Sequence, residues 1–195
     1  ATFAARRPMA LLPAFDAEAA ARAIPAERVT HMNGSDEMYR RMLEAAPGAR
    51  PFPTLRRAGF AAFNSDPAEF VAFGDARGLP LAGLYGMSEI QALFASQSPD
   101  APAADRARGG GTPVSPEARV RVRDPESGKI LPDGESGEIE AKGPSLMAGY
   151  ADDPAATEAA FTDDGYLRTG DLGYTVPGGF VFLARMGDAL RLGGY

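Results

Sequence analysis

The chain has no cysteine, a single histidine and only two lysines, Lys129 and Lys142, among its 195 residues. Without cysteine, neither a disulfide framework nor thiol chemistry is available. With His31 as the sole imidazole, a histidine-built metal site and a Ser/His nucleophilic triad both lack their parts. The remaining basic charge is arginine, which fits a GC-rich coding bias rather than a binding role. The net charge is −6, so the basic footprint of a nucleic-acid binder is missing. No apolar run approaches the roughly 20 residues that a membrane-spanning helix needs. The opening Ala1-Thr2-Phe3-Ala4-Ala5-Arg6-Arg7 is not followed by the apolar core of a secretion signal. These absences leave a soluble cytoplasmic protein as the expectation, with neither nucleic acid nor a membrane span among its partners.

What is present is globular in character: 45% hydrophobic and 24% charged residues, in a length that suits one large or two small domains. Ala10 to Phe15 is a short apolar run that reads as a buried strand. Asp16 then offers an N-cap, with Glu18 in the first turn of a helix stopped near Ile24 by Pro25. Arg28 to Met32 reads as a second strand. Ser35 caps a helix whose Met38, Tyr39, Met42 and Leu43 share one face. Pro47 to Pro53 is a loop and Ala58 to Phe63 a third strand. Asn64-Ser65-Asp66-Pro67 starts a helix with proline at its first position, carrying Phe70, Val71 and Phe73 and ending near Gly74. Leu81 to Tyr85 is a fourth strand. This alternation predicts an α/β fold with a parallel or mixed sheet over residues 1–110.

From Ser96 to Thr112 the composition turns to Ser, Pro, Ala, Asp and Gly without periodicity, as in a long connector. Arg108-Gly109-Gly110-Gly111-Thr112 lacks the lysine of a phosphate loop and reads as part of that connector. Residues 111–195 are β-rich. Val120 and Val122 alternate with arginines, Asp124 to Lys129 is a turn, and Gly137 to Gly143 is a strand. A short helix fits Asp153 to Phe161, and Asp163-Asp164 a turn. Tyr166 to Asp171, Tyr174 to Val176 and Phe180 to Leu183 complete the strands, with Pro177-Gly178-Gly179 as a hairpin turn. His31 reads as a core or edge residue.

Two stretches carry candidate chemistry. Leu84-Tyr85-Gly86-Met87-Ser88-Glu89 sets an aromatic, a glycine, a hydroxyl and a carboxylate at a strand end. Such a set can stack a base, admit a close ligand, bond a phosphate oxygen and hold Mg²⁺. The same six residues also read as a strand followed by a helix with Ser88 as its cap. Tyr166-Leu167-Arg168-Thr169-Gly170-Asp171-Leu172 reads as a strand that stops at a glycine and presents an acid. Asp171 is suited to accept from both hydroxyls of a ribose, and equally to a turn. A further strand leads from Arg185 to Gly193-Gly194-Tyr195. The chain stops inside this segment, which suggests a fragment of a larger protein.

Taken together and in order, Tyr85-Gly86-Met87-Ser88-Glu89, Gly137-Glu138-Ile139 with Gly143 and Gly149-Tyr150, Tyr166 to Leu172, and Arg185 with Gly193-Gly194-Tyr195 resemble the adenylate-forming superfamily of AMP-binding ligases. The resemblance covers nearly the whole chain. It implies an α/β subdomain followed by a small, mostly antiparallel, β-barrel-like subdomain that ends at a hinge. It implies attack of a carboxylic acid, fatty or aryl, on the α-phosphate of Mg·ATP, then transfer of the acyl group from AMP to coenzyme A. Tyr85 would pack on adenine, with Gly86 and Phe182 also on the nucleotide side. Ser88, standing where the family usually has Thr, would contact phosphate. Glu89 would coordinate Mg²⁺, Asp171 would bind the ribose and Arg185 would assist. Gly86, Ile90 and Gln91 would border the acyl pocket.

The sequence departs from the family pattern at two further positions. Gly187 stands where the hinge residue is usually Asp or Lys, and Ala184 replaces a glycine. The family's phosphate loop would precede residue 1 and its C-terminal domain would follow Tyr195. The expectation is therefore a part of an acyl-CoA synthetase, inactive alone and partnered by the rest of its parent chain. A peptide-synthetase adenylation domain and a non-catalytic module that keeps only the fold stand as alternatives.

Overall fold

A computed structural model of the chain describes residues 6–62 and 65–187. Phe63, Asn64 and the strand expected toward Gly194 lie outside the described residues. The chain divides into two compact units. The first comprises the residues up to Ala82 with Pro99–Ala107, the second Gly83–Ser98 with the residues from Arg108 onward.

The first unit alternates helix and strand: α1 (Ala17–Ala26), β1 (His31–Ser35), α2 (Asp36–Ala45), β2 (Arg57–Ala61), α3 (Pro67–Ala76), the start of β3 (Leu81–Tyr85), and α4 (Ala103–Arg106). β1 and β2 are parallel, from His31 opposite Arg57 to Ser35 opposite Ala61. Each major helix starts at a side-chain cap. Asp16 accepts from the Ala19 amide at 2.7 Å, Ser35 from Met38 at 3.2 Å, and Asp66 from Ala68 and Glu69 at 3.0 and 2.9 Å. Behind these caps Tyr39, Met42, Leu43, Phe60 and Phe70 are fully buried. Burying one such side chain stabilises by roughly 1.5–3 kcal/mol. Inside this unit Arg106 is buried, at 6% exposure. It donates to the carbonyls of Ala101 and Leu81 and to Asp75 at 2.7–3.0 Å.

Three expectations shift here. The run from Ala10 to Phe15 forms no strand, and Leu11 is 76% exposed. Pro13 interrupts it and removes a ladder donor. α1 continues through Pro25 to Ala26, because a proline near a helix end forfeits a single bond while Glu27 still donates to the Ala23 carbonyl at 2.8 Å. The strand predicted from Arg28 begins instead at His31. The Val29 amide returns to the Ile24 carbonyl at 2.9 Å, so this stretch finishes the helix before any pairing starts. His31 lies exposed on β1 beside the Thr30 hydroxyl, an edge rather than a core position.

The second unit is β-rich: the end of β3, β4 (Ala95–Ser96), β5 (Gly109–Pro113), β6 (Arg119–Arg123), β7 (Gly137–Lys142), α5 (Pro154–Ala160), β8 (Leu167–Val176) and β9 (Gly179–Arg185). The strand order is β3-β4-β5-β9-β8-β7-β6, antiparallel throughout. The ladder stays open: among the described residues no pairing joins β6 back to β3, so the barrel-like expectation gives way to an open sheet. Val122, Ile139, Ala141, Leu167 and Phe180 fill one face.

The connector reading of Arg108 to Thr112 is overturned, since Gly109–Pro113 is β5 and pairs with both β4 and β9. Gly110 and Gly111 take φ of +101° and +98°, and a Cβ on either would collide with the backbone of Phe180 or Ser96. Their role is close strand approach, not flexibility. The strand expected to stop at Gly170 instead runs unbroken to Val176 as β8. Gly170 takes φ +68°, and the register with β9 slips between Leu172 and Gly173, so the chain bulges and continues. Residues 83–98, read from the sequence as part of the α/β segment, pack with the β-rich unit because β4 pairs with β5.

On the other face, Glu140 is completely buried. Arg121 and Arg123 hold it at 2.5 and 2.6 Å, and Arg168 stands 3.6 Å away. Arg121 also pairs with Asp164 and lies over the Tyr166 ring at 3.8 Å. A buried carboxylate is tolerated only with such compensation. Glu140→Ala is expected to destabilise the chain by about 2–4 kcal/mol, because it removes the acceptor shared by Arg121 and Arg123, whose side chains are only 17% and 21% exposed. Urea unfolding measures this directly, and a loss below about 0.5 kcal/mol would show that the arginines find water instead.

Candidate nucleotide site

The site residues converge at the β8–β9 ladder of the second unit. Asp171 lies opposite Arg185 in the register. Asp171 is 4% exposed, and Arg185 Nη1 donates to its Oδ1 at 2.8 Å and to the Thr169 carbonyl at 3.2 Å. The Tyr85 hydroxyl, from the end of β3, donates to Asp171 Oδ2 at 2.6 Å. The Tyr85 ring meets Phe180 edge-on at 5.1 Å and Phe182 at 5.7 Å, so Phe182 joins the cluster through the tyrosine. Thr169 supports the acid from behind: its hydroxyl donates to the Ile139 carbonyl at 2.6 Å and accepts from the Asp171 amide at 3.1 Å.

The loop after Tyr85 is built for close approach. A Cβ on Gly86 would overlap the Ala92 carbonyl. Gln91 and Ala92 both take positive φ, 59° and 69°, rare for residues with side chains. The Phe94 amide closes the loop on the Tyr85 carbonyl at 2.9 Å. The capped helix expected after Ser88 is a single 3-10 turn, Ser88–Ile90, preceded by Met87 with no side-chain cap. Ser88 is therefore exposed with its hydroxyl unused as a cap, while Ile90 is buried and Gln91 exposed. Glu89 is half-buried, and its Oε1 accepts from the Tyr150 hydroxyl at 3.1 Å. Tyr85, Phe182, Glu89, Asp171 and Arg185 thus come together in one unit. The contacts of Tyr150 with Glu89 and of Thr169 with Asp171 were not legible in the sequence. Tyr150 sits in a motif the sequence displays, but its partner Glu89 is 61 positions away.

The electrostatics follow from burial. Desolvation, reinforced by the Asp171 charge, pushes the Tyr85 phenol well above the usual tyrosine range. The bond to Asp171 raises Arg185, and the Glu89 charge adds to the effect. Asp171 is bonded by one arginine and one phenol, with acceptor capacity left over, since a carboxylate offers about four lone-pair sites. Among the described residues no group of three or more His, Cys, Asp or Glu side chains could hold a metal. Glu89 is a lone carboxylate, which suits an ion that takes its other ligands from phosphates and water. A shallow groove of about 460 Å³ in the same unit, lined by Pro113, Arg119, Leu131 and Thr175, includes none of these residues.

Comparison with known proteins decides the family. The model of the family described as AMP-binding enzyme matches residues 2–151. The chain belongs to the AMP-binding enzymes. It is similar to the 2-succinylbenzoate–CoA ligase of a Geobacillus species, at 31% identity over 187 residues, covering 95% of this chain and 37% of that ligase. It is 40% identical over 128 residues to the sulfoacetate–CoA ligase of Cupriavidus necator, covering 66% of this chain and 24% of that one. Among solved structures, ATP-bound MatB from Rhodopseudomonas palustris superposes with a TM-score of 0.79 at 31% identity, over 95% of this chain and 36% of MatB. The AMP complex of the Bacillus subtilis O-succinylbenzoate coenzyme A synthetase gives a TM-score of 0.81 at 25% identity, over 96% and 37%. The chain therefore spans a quarter to just over a third of the length of these enzymes. No described helix is long and apolar enough to cross a membrane.

The buried phenol gives a pH test. A raised pKa in the folded state means that the stability from a neutral Tyr85 is complete below the ordinary value near 10. It is lost as pH rises toward the higher folded value. Urea midpoints should therefore fall between pH 9 and 11. The fall should be smaller by about 1 kcal/mol in Tyr85→Phe, while the buried Tyr39 of the first unit, also shifted upward by desolvation, keeps the remainder. Equal falls in both proteins would show that Tyr85 ionises freely.

Proposed function

We propose that this chain is part of an ATP-dependent acid–CoA ligase that activates a fatty or aryl carboxylic acid as acyl-AMP and passes it to coenzyme A. The observation that carries the reading is the buried Asp171, held by Tyr85 and Arg185, with Glu89 in the same cluster. The CoA-ligase relatives support coenzyme A as the acceptor rather than a carrier domain.

In the first step a carboxylate oxygen attacks the α-phosphorus of ATP. The bond from that phosphorus to the bridging oxygen breaks, and pyrophosphate leaves. In the second step the thiol sulfur attacks the acyl carbonyl and AMP leaves. No protein nucleophile is required, so the residues position and neutralise. Asp171 accepts from the ribose hydroxyls, kept in place by Arg185 and Thr169. Tyr85 and Phe182 give the adenine an aromatic wall, and Gly86 lets the ligand approach the backbone. Ser88 offers its exposed hydroxyl to a phosphate oxygen. Glu89 would hold Mg²⁺, which when bound neutralises phosphate charge. Gly86, Ile90 and Gln91 border the acyl end. With about a third of its relatives' length, the chain alone is proposed to bind nucleotide without turnover.

Calorimetric titration with AMP and with a non-hydrolysable acyl-adenylate mimic tests this. Weak binding is expected, reduced at least about tenfold by Asp171→Ala, the loss of a charge-assisted bond. Binding that ignores the substitution, or none to wild type, would sink the assignment of a nucleotide half-site to this cluster.

A further inference from the structure

One loop grips Glu89 at two points. The Met147 amide donates to the Glu89 carbonyl at 2.8 Å, and the Tyr150 hydroxyl donates to its Oε1 at 3.1 Å. The loop is itself anchored. The Tyr150 amide donates to Thr157 Oγ1 at 2.9 Å, that hydroxyl donates to the Asp153 carbonyl at 2.9 Å, and Asp153 caps α5 through the Ala156 amide at 2.9 Å. Thr157 also packs onto Gly149, where an added Cβ would lie 2.8 Å from its Cγ2. Tyr150 is 42% exposed, so burial of its ring does not account for its place. Its hydroxyl bonds Glu89, its amide bonds Thr157, and its carbonyl accepts from the Asp153 amide at 3.5 Å.

The two acids of the cluster are held differently. Arg185 bonds Asp171 directly, whereas the side-chain hydrogen bond to Glu89 comes from a neutral phenol. A carboxylate meant to receive a cation needs a neutral donor of this kind, because an arginine would compete with the ion. We propose that Tyr150 is a positioning residue: it fixes the Glu89 carboxylate, from a loop anchored on α5, in the orientation that receives a divalent cation bound to nucleotide. This rests on the reading of Glu89 given above.

The test compares two titrations of this chain: Mn²⁺·ATP followed by water-proton relaxation, and AMP in EDTA followed by calorimetry. Tyr150→Phe should weaken Mn²⁺·ATP about two- to tenfold, the cost of leaving one long side chain unordered, and leave AMP binding unchanged. In a Glu89→Ala background the same substitution should change neither. Thr157→Val, which frees the loop while keeping the phenol, should shift Mn²⁺·ATP in the same direction by less. Unchanged Mn²⁺·ATP affinity in Tyr150→Phe overturns the inference. So does an equal loss for AMP, or an undiminished effect in the Glu89→Ala background. Failure of the wild-type chain to bind AMP would overturn the functional reading itself, whereas intact AMP binding with a metal complex indifferent to Tyr150 overturns this inference alone.

Discussion

The desolvation of Asp171 is the constraint around which the second unit is arranged. A carboxylate removed from water and left unpaired is expensive enough to protonate or to unfold its surroundings. Here Arg185 arrives through strand register, Tyr85 through the end of β3, and Thr169 through its hydroxyl on the Asp171 amide. Arg185 and Tyr85 come from other stretches of chain, so the acid is tolerable only once the ladder has formed. The same contacts leave part of its acceptor capacity unused. Fold and candidate site are therefore one assembly: what makes the acid stable also presents it.

Glu140 is an instructive contrast. It too is buried in this sheet, yet two arginines bond both its oxygens and a third stands at 3.6 Å. A carboxylate so enclosed has little left to offer a ligand and serves the sheet. Asp171 meets a single arginine whose side chain is 54% exposed, together with one phenol. Of these two buried acids, Asp171 has the fewer arginine partners and so the acceptor capacity that the proposed ribose contact would use.

Local chemistry was legible in the sequence. Asp16, Ser35 and Asp66 cap their helices because capping depends on residues within three positions. The alternation at Val120 and Val122 identified β6 for the same reason. What failed was decided at a distance. The triple glycine of β5 looked like a flexible connector because nothing nearby shows that Phe180 and Ser96 will crowd it. Gly170 looked like a strand end because a bulge and a stop share one residue type. The site residues came from ordered motifs, and the folded strands of the second unit bring them together. The Tyr150–Glu89 contact had no local signal at all.

The turn from Gly86 to Ala92 shows why those motif residues occur together. Two successive side-chain-bearing residues at positive φ cost of order 1 kcal/mol each or more. The loop persists because the Ala92 carbonyl settles over Gly86 and Phe94 pairs with Tyr85, which fixes both ends. A side chain at residue 86 would open the loop, and Ser88 and Glu89 would lose their relation to Tyr85. The glycine therefore sets the distance between an aromatic anchored on Asp171 and a carboxylate anchored on Tyr150. That distance, rather than any one residue's reactivity, is what a nucleotide with a base at one end and charged phosphates at the other would require.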